Sequence, residues 1–271
     1  MDSTGAQLPW IRMEVTAYWV VFVTAFLAVA IWESLRPKST LSIPAEGRWA
    51  AHALLLGVGA VLQSLVLRST PLVVAASAAE NPWGILNRPG TPLAAQFLGA
   101  ILLLDLVRYF THRLFHSVSI LWRMHEVHHS DPDYDVSTAA RFHPLEIIVA
   151  KAIYVGSIMI LAPPVMAVFF AGLHTALLNL FVHANASLPS SVERLLRGAI
   201  ITPDLHRLHH SEEILKQNRN FGQTFVWWDR LFGTYLPVGP GPWRTGVKDV
   251  SPERAMILKF MLAEPFWMRK K

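Results

Sequence analysis

The chain has 271 residues, 52% of them hydrophobic and 16% charged, with a formal net charge of +5 and a mean hydropathy of +0.34. This excludes disorder for the bulk, which needs low hydrophobicity and high charge, and the absence of Cys excludes disulfides, thiolate metal sites and Cys nucleophiles. A basic, apolar chain without a basic, aromatic-interleaved stripe fits a membrane protein with cationic loops rather than a nucleic-acid binder.

A membrane-spanning helix needs roughly 17–25 mainly apolar residues. In chain order, residues 15–32, 49–67, 93–110, 147–162 and 165–182 meet or approach that length. The first is read as an uncleaved helix. Asp2, Arg12 and Glu14 leave the preceding segment negative, and the apolar run exceeds the roughly 7–15 residues of a signal-peptide core. Arg36, Lys38 and Arg48 follow it and place that loop in the cytoplasm. Loop 68–88 then falls outside. It is apolar over 73–79, continues as Asn81-Pro82-Trp83-Gly84, and is expected in the membrane interface. The third span returns the chain to the cytoplasm near Thr111, and the last two form a hairpin turning at Pro163-Pro164. Everything after His183 is cytoplasmic, including Arg269, Lys270 and Lys271. The expected fold is all-α, an integral membrane helical bundle of about five spans with a cytoplasmic, histidine-rich helical cap. It forms one membrane domain: N-terminal spans in 1–92, a catalytic region in 93–235 and a tail in 236–271.

Eight histidines fall in three boxes at helical spacing: His112 and His116; His125, His128 and His129; His206, His209 and His210. Residues at i, i+3 and i+4 share one helix face, so their imidazoles can converge on a metal. The second and third boxes share the pattern His-x-(Val/Leu)-His-His-Ser-(Asp/Glu), expected either to give each triplet a corresponding role in a two-metal site or to reflect convergence on ligand geometry. Eight imidazoles exceed the three or four ligands of one zinc, and imidazole alone does not choose among Zn, Cu, Fe and Ni. His183, ending the fifth span, is a further candidate ligand, with Asn179 beside it as a weak or water-mediated partner. His143, in Arg141-Phe-His-Pro144, is a ligand candidate or an anchor for the loop entering the fourth span. His174 and His52 read as structural or pocket-lining. Asp105 precedes His112 by seven residues and His116 by eleven, which returns it to their face of the helix. A carboxylate inside a bilayer is costly and usually functional. Asp105 is expected either to orient a ligand histidine or to pair with Arg108, with Tyr109 near the same face.

These residues resemble the fatty acid hydroxylase family, also called the sterol desaturase family. The resemblance runs through Asp105-Leu-Val-Arg-Tyr-Phe-Thr-His112-Arg-Leu-Phe-His116, Leu121-Trp-Arg-Met-His-Glu-Val-His-His-Ser130 and Arg141-Phe-His-Pro144. It continues through Phe181-Val-His-Ala-Asn185, Thr202-Pro-Asp-Leu-His-Arg-Leu-His-His-Ser211, Asn220-Phe-Gly222 and Trp228-Asp-Arg-Leu-Phe-Gly-Thr-Tyr235. It implies an integral membrane, non-haem di-iron oxidoreductase in which the boxes hold two Fe ions. O2 is the co-substrate and takes two external electrons. The oxidant then attacks an unactivated C–H bond of a fatty acyl, sterol or related lipid, giving hydroxylation or, in some members, desaturation. No haem- or flavin-binding extension is evident, so a separate donor (a cytochrome, ferredoxin or reductase) supplies the electrons. Glu126, Asp131, Asp204, Glu212 and Glu213 flank the boxes as candidate supports for the ligands or as solvated charge. Trp228, Asp229 and Arg230 are expected to pin the cap at the interface.

Competing classes make different demands. A metal transporter wants ligands near the bilayer midplane. A zinc hydrolase needs fewer histidines than the three boxes supply. A bis-His haem protein places single histidines on facing spans, and a catalytically inactive family member would keep the boxes without turnover. The boxes lie outside the spans, at the face expected to be cytoplasmic in a bacterial inner membrane or an endoplasmic-reticulum membrane.

Overall fold

The computed structural model describes residues 8–80, 84–239 and 244–267, with side chains from residue 16 onward. Asp2, Asn81, Pro82, Trp83, Arg269, Lys270 and Lys271, and the side chains of Arg12 and Glu14, lie outside the described residues. The described chain is helical and contains no strand beyond isolated bridges. In order come α1 (Leu8–Leu35), α2 (Ala45–Val66), α3 (Pro71–Ala79), α4 (Leu93–Ser117), α5 (Ser119–His129), α6 (Pro144–Leu161) and α7 (Val165–Val182). Six short helices follow: α8 (Ser190–Leu196), α9 (Pro203–His209), α10 (Ile214–Gln217), α11 (Trp227–Leu231), α12 (Pro252–Ala255) and α13 (Leu258–Ala263).

Five stretches are long and apolar enough to cross a membrane, and each overlaps one read from the sequence, although the second runs from Ala45 through α3 to Ala79 and the third extends to Ser117 and so takes in His112 and His116. Their surfaces are inverted relative to a soluble protein: Val20, Val23, Leu27 and Ile31 of α1 are exposed, as lipid-facing positions are. α7 packs on α1 and α4, and α6 packs on α2 and α4. The α6–α7 turn follows its sequence. Ala162 adopts a left-handed conformation (φ 46°), and Pro164 then opens α7.

Two expectations change. Residues 71–79, read from the sequence as part of a loop, are helical. They form α3, which packs on α6 and α7 at the end away from the histidines, with Ala75 fully buried beside Tyr154, Ile158 and Ala167. Arg48 is also not a free loop cation. It sits in the first turn of α2, fully buried, and donates to Asp131 (2.9 and 3.3 Å), Asp135 (2.7 Å) and the Asp133 carbonyl (2.9 Å). Glu33 of α1 reaches the same region, accepting from the backbone N–H of Val136 and Asn185. The first two spans are therefore joined to the cap by buried polar contacts, not by apolar packing alone.

Candidate metal centre

α4 carries His112 and His116 at its C-terminal end, and α5 continues beyond a one-residue break at Val118 with His125, His128 and His129. α9 is short and firmly started: Pro203 fills its first turn and the Thr202 hydroxyl accepts from Leu205 N–H. His183 caps the end of α7. These four pieces bring nine histidines together in two groups. His112, His116, His125, His129 and His209 form one; His128, His183, His206 and His210 form the other. Within each group the ligand atoms lie within 4.8 Å of one another.

The echo between the second and third boxes has a geometric meaning. In α5 the i, i+4 pair His125/His129 joins the five-membered group and His128 crosses to the four-membered group. In α9 the pair His206/His210 joins the four-membered group and His209 crosses to the five-membered one. Both helices thus serve both groups, whereas α4 serves one and α7 the other.

Hydrogen bonds fix the direction of the rings. The Nδ1 atoms of His112, His128, His183 and His209 donate to the carbonyls of Phe221 (2.8 Å), Arg141 (3.2 Å), Asn179 (2.7 Å) and Arg219 (2.7 Å). A carbonyl can only accept, so in each neutral ring the Nε2 atom bears the lone pair. Those lone pairs face one another: His112 and His209 Nε2 are 3.0 Å apart, and His128 and His183 Nε2 are 3.2 Å apart. Both nitrogens of His129 and His210, Nε2 of His116 and Nδ1 of His206 are buried without a hydrogen-bond partner. Buried polar atoms in a native protein are almost always paired. Converging lone pairs without donors are what a cation between them would satisfy, so these residues fit a pair of metal ions.

Burial, reinforced by neighbouring imidazoles, holds His128, His129, His206 and His210 far below the ordinary histidine value. Burial likewise lowers His183 to about 4 and His209 to about 3. The rings are kept neutral, the form that binds metal.

One carboxylate supports the cluster directly, and it was not among those singled out from the sequence. Glu146, in the first turn of α6, accepts from His125 Nδ1 at 2.6 Å. Its signal was its place two residues after Pro144, which starts a helix aimed at box two. Three of the acids expected there do other things. Asp131 binds Arg48, which holds its carboxyl down at about 2 against the pull of burial. Asp204 pairs with Lys38, and Glu213 pairs with Lys216.

His143 stands outside both groups. Its Nδ1 accepts from Leu145 N–H at 3.1 Å and caps α6, while Nε2 donates to the Leu262 carbonyl at 3.3 Å. The proline that follows sets this geometry, so its role is that of an anchor. Asp105 makes no hydrogen bond to a histidine among the described residues. Its Oδ2 accepts from Trp228 Nε1 (2.8 Å) and Phe225 N–H (3.4 Å), tying the cap to α4. The Asn179 side chain donates to Ala139 O, and its carbonyl anchors His183. His52 bridges Ser137 and Arg141, and the Tyr109 hydroxyl bonds Thr234.

Asp229 acquires a role that the sequence did not offer. It accepts from Phe221 N–H, Gly222 N–H (both 2.8 Å) and the Thr234 hydroxyl (2.6 Å), holding the loop whose Phe221 carbonyl orients His112. A Cβ at Gly222 would come within 2.8 Å of Asp229 Oδ2 and 2.9 Å of the Phe225 carbonyl, so only glycine fits there.

Helical spans closed at one end by a dense double group of histidines define a class: a membrane protein built around a paired imidazole site. Comparison with known proteins makes the class specific. The fatty acid hydroxylase family model matches residues 97–234, and the chain belongs to that family. It is 28% identical to ornithine lipid hydroxylase OlsE of Rhizobium tropici, over 97% of this chain and 80% of that one. It is 32% identical to human alkylglycerol monooxygenase over 66% of this chain and 39% of the relative. It is 30% identical to chicken methylsterol monooxygenase 1 over 52% of this chain and 46% of the relative. The chain thus spans less than half of these last two relatives. No solved structure matches it.

Proposed function

We propose that the chain is a membrane-bound, O2-dependent lipid hydroxylase that holds two irons, one in each histidine group. The observation that carries this reading is the facing of the Nε2 lone pairs at 3.0 and 3.2 Å inside a buried, neutral nine-histidine cluster. Bound iron would supply the reduction of O2 and the removal of hydrogen from an unactivated C–H bond. The residues of this chain do the rest. The Phe221, Arg141, Asn179 and Arg219 carbonyls aim four rings inward, and Glu146 aims a fifth. Burial excludes bulk water and keeps the ligands neutral.

Several facts support a lipid substrate. The named relatives are hydroxylases or monooxygenases of an ornithine lipid, alkylglycerols and methylsterols. An apolar groove of about 530 Å3 lies between α4 and α6, lined by Leu103, Leu106, Val107 and Leu114. The histidines lie at the cytoplasmic face by the charge of the loops, though Arg48 does not count among the free cations. Electrons come from a separate donor protein.

The test is turnover of bacterial total-lipid extract by the purified protein in nanodiscs, with a chemical reductant and isotope-labelled O2. Lipids gaining one labelled oxygen, with none gained by a His128→Ala variant, are expected. Iron-loaded protein that leaves every lipid class unlabelled would overturn the reading.

A further inference from the structure

Within the spans, one group of polar side chains takes no part in the histidine cluster. Arg108 lies four residues before His112, so both project from the same face of α4, with Arg108 about 6 Å deeper along the helix axis. Its guanidinium stands 4.2 Å over the ring of Tyr154 from α6. A cation over a ring is attracted to its face, but the N–H groups of the guanidinium gain no acceptor from it. Among the described residues no carboxylate forms an ion pair with Arg108. The nearest acid along the helix, Asp105, makes no ion pair with it and turns its Oδ2 to Trp228 and Phe225, leaving Oδ1 without a hydrogen-bond partner. The Tyr154 hydroxyl is buried and has no partner. Tyr18 of α1 lies within the field of Arg108, and His174 of α7 lies within the fields of both Asp105 and Arg108.

An arginine inside a bilayer is costly and is retained with a partner. Its planar fork matches the two oxygens of a carboxylate or phosphate. We propose that Arg108 and Tyr154 form an oxyanion seat inside the membrane that holds the carboxylate or phosphate of a lipid. The inference rests on the lipid hydroxylase reading and adds a regiochemical consequence. From Arg108 to His112 is four residues on α4, about 6 Å, and from Tyr154 to Glu146 is eight residues on α6, about 12 Å. A lipid anchored there presents the carbons next to its anionic group to the histidines and directs its far methyl end away.

The test compares three probes on the full chain in detergent: palmitate, phosphatidate and neutral hexadecanol. Wild type, Arg108→Leu, Arg108→Lys and Tyr154→Phe are compared, with metal content read in parallel. Wild type is expected to bind at least one anion about tenfold more tightly than hexadecanol, the scale of one charge-assisted hydrogen bond. The preferred anion identifies the source: palmitate a free acid, phosphatidate a phospholipid headgroup. Arg108→Leu should lose the preference, Arg108→Lys should keep part of it, and Tyr154→Phe should reduce it severalfold, all with wild-type metal content. If Arg108→Leu fails to fold, Tyr154→Phe decides. Equal binding of all three probes by wild type, or an undiminished preference in Tyr154→Phe and Arg108→Leu, would overturn the seat. Failure of the hydroxylase reading would look different: no metal or no labelled product, with the anion preference intact.

Discussion

The two histidine groups are built from the same parts in different proportions. The five-membered group takes a pair from α4, a pair from α5 and a single ring from α9. The four-membered group takes a pair from α9 and single rings from α5 and from the end of α7. The first has a carboxylate behind one of its rings, Glu146 on His125, while two rings of the second, His128 and His183, lean on backbone carbonyls. The groups therefore share α5 and α9 but differ in redundancy and in the charge behind them. Changes to a shared helix should strike both groups, and changes to an unshared one should strike one.

The largest effect should come from behind the shared helix α5. Arg48→Leu strands Asp131 and Asp135 as buried, unpaired carboxylates, a loss of about 3–5 kcal/mol. Little monodisperse protein is expected on size exclusion, and what survives should be depleted of metal in both groups. Next come the unshared helices. His183→Ala leaves three rings in its group and His112→Ala leaves four in the other. Under one loading protocol, His183→Ala should fall to about one metal per chain while His112→Ala stays closer to two, because a site keeping four ligands still matches an ordinary coordination set. Equal losses would erase the asymmetry.

Glu146→Gln sharpens the comparison further. Loss of a carboxylate behind a ligand histidine typically costs about 10–100-fold in metal affinity. Competition with a chelator should show that loss at the five-membered group and none at the other. The smallest effect is a dependence on pH. Burial lowers His183 to about 4 and His209 to about 3, against roughly 6.5 in an unfolded chain. Below that value the unfolded chain takes up protons that the folded one refuses, so stability falls with pH. The Tm of metal-free protein should be flat above pH 6.5 and decline from there towards pH 4, as thermal denaturation followed by tryptophan fluorescence would show. A rise in Tm on acidification would contradict neutral, buried rings.

Much of this was legible in the chain. The spans follow from apolar runs of bilayer length, and the boxes from i, i+3, i+4 spacing, which holds whatever the tertiary structure. His183 was legible from its position at the end of a span. Other roles depend on long-range contacts that spacing cannot reveal. Asp105 does face the side of α4 that carries His112, yet its partners, Phe225 and Trp228, come from 120 and 123 residues further on. His143 resembles a ligand in composition but is committed to a helix cap by the proline after it. The contacts of Glu146 and Arg48 are hidden in the sequence for a related reason. One is an ordinary first-turn acid and the other an ordinary loop cation until the fold shows what each touches.

The most direct test of the central claim is the iron stoichiometry of protein purified in mild detergent after anaerobic loading, read together with its Mössbauer spectrum. Two irons per chain in two distinguishable, nitrogen-rich environments are the predicted result. A single iron per chain, or a lone zinc that iron does not displace, would contradict the paired site.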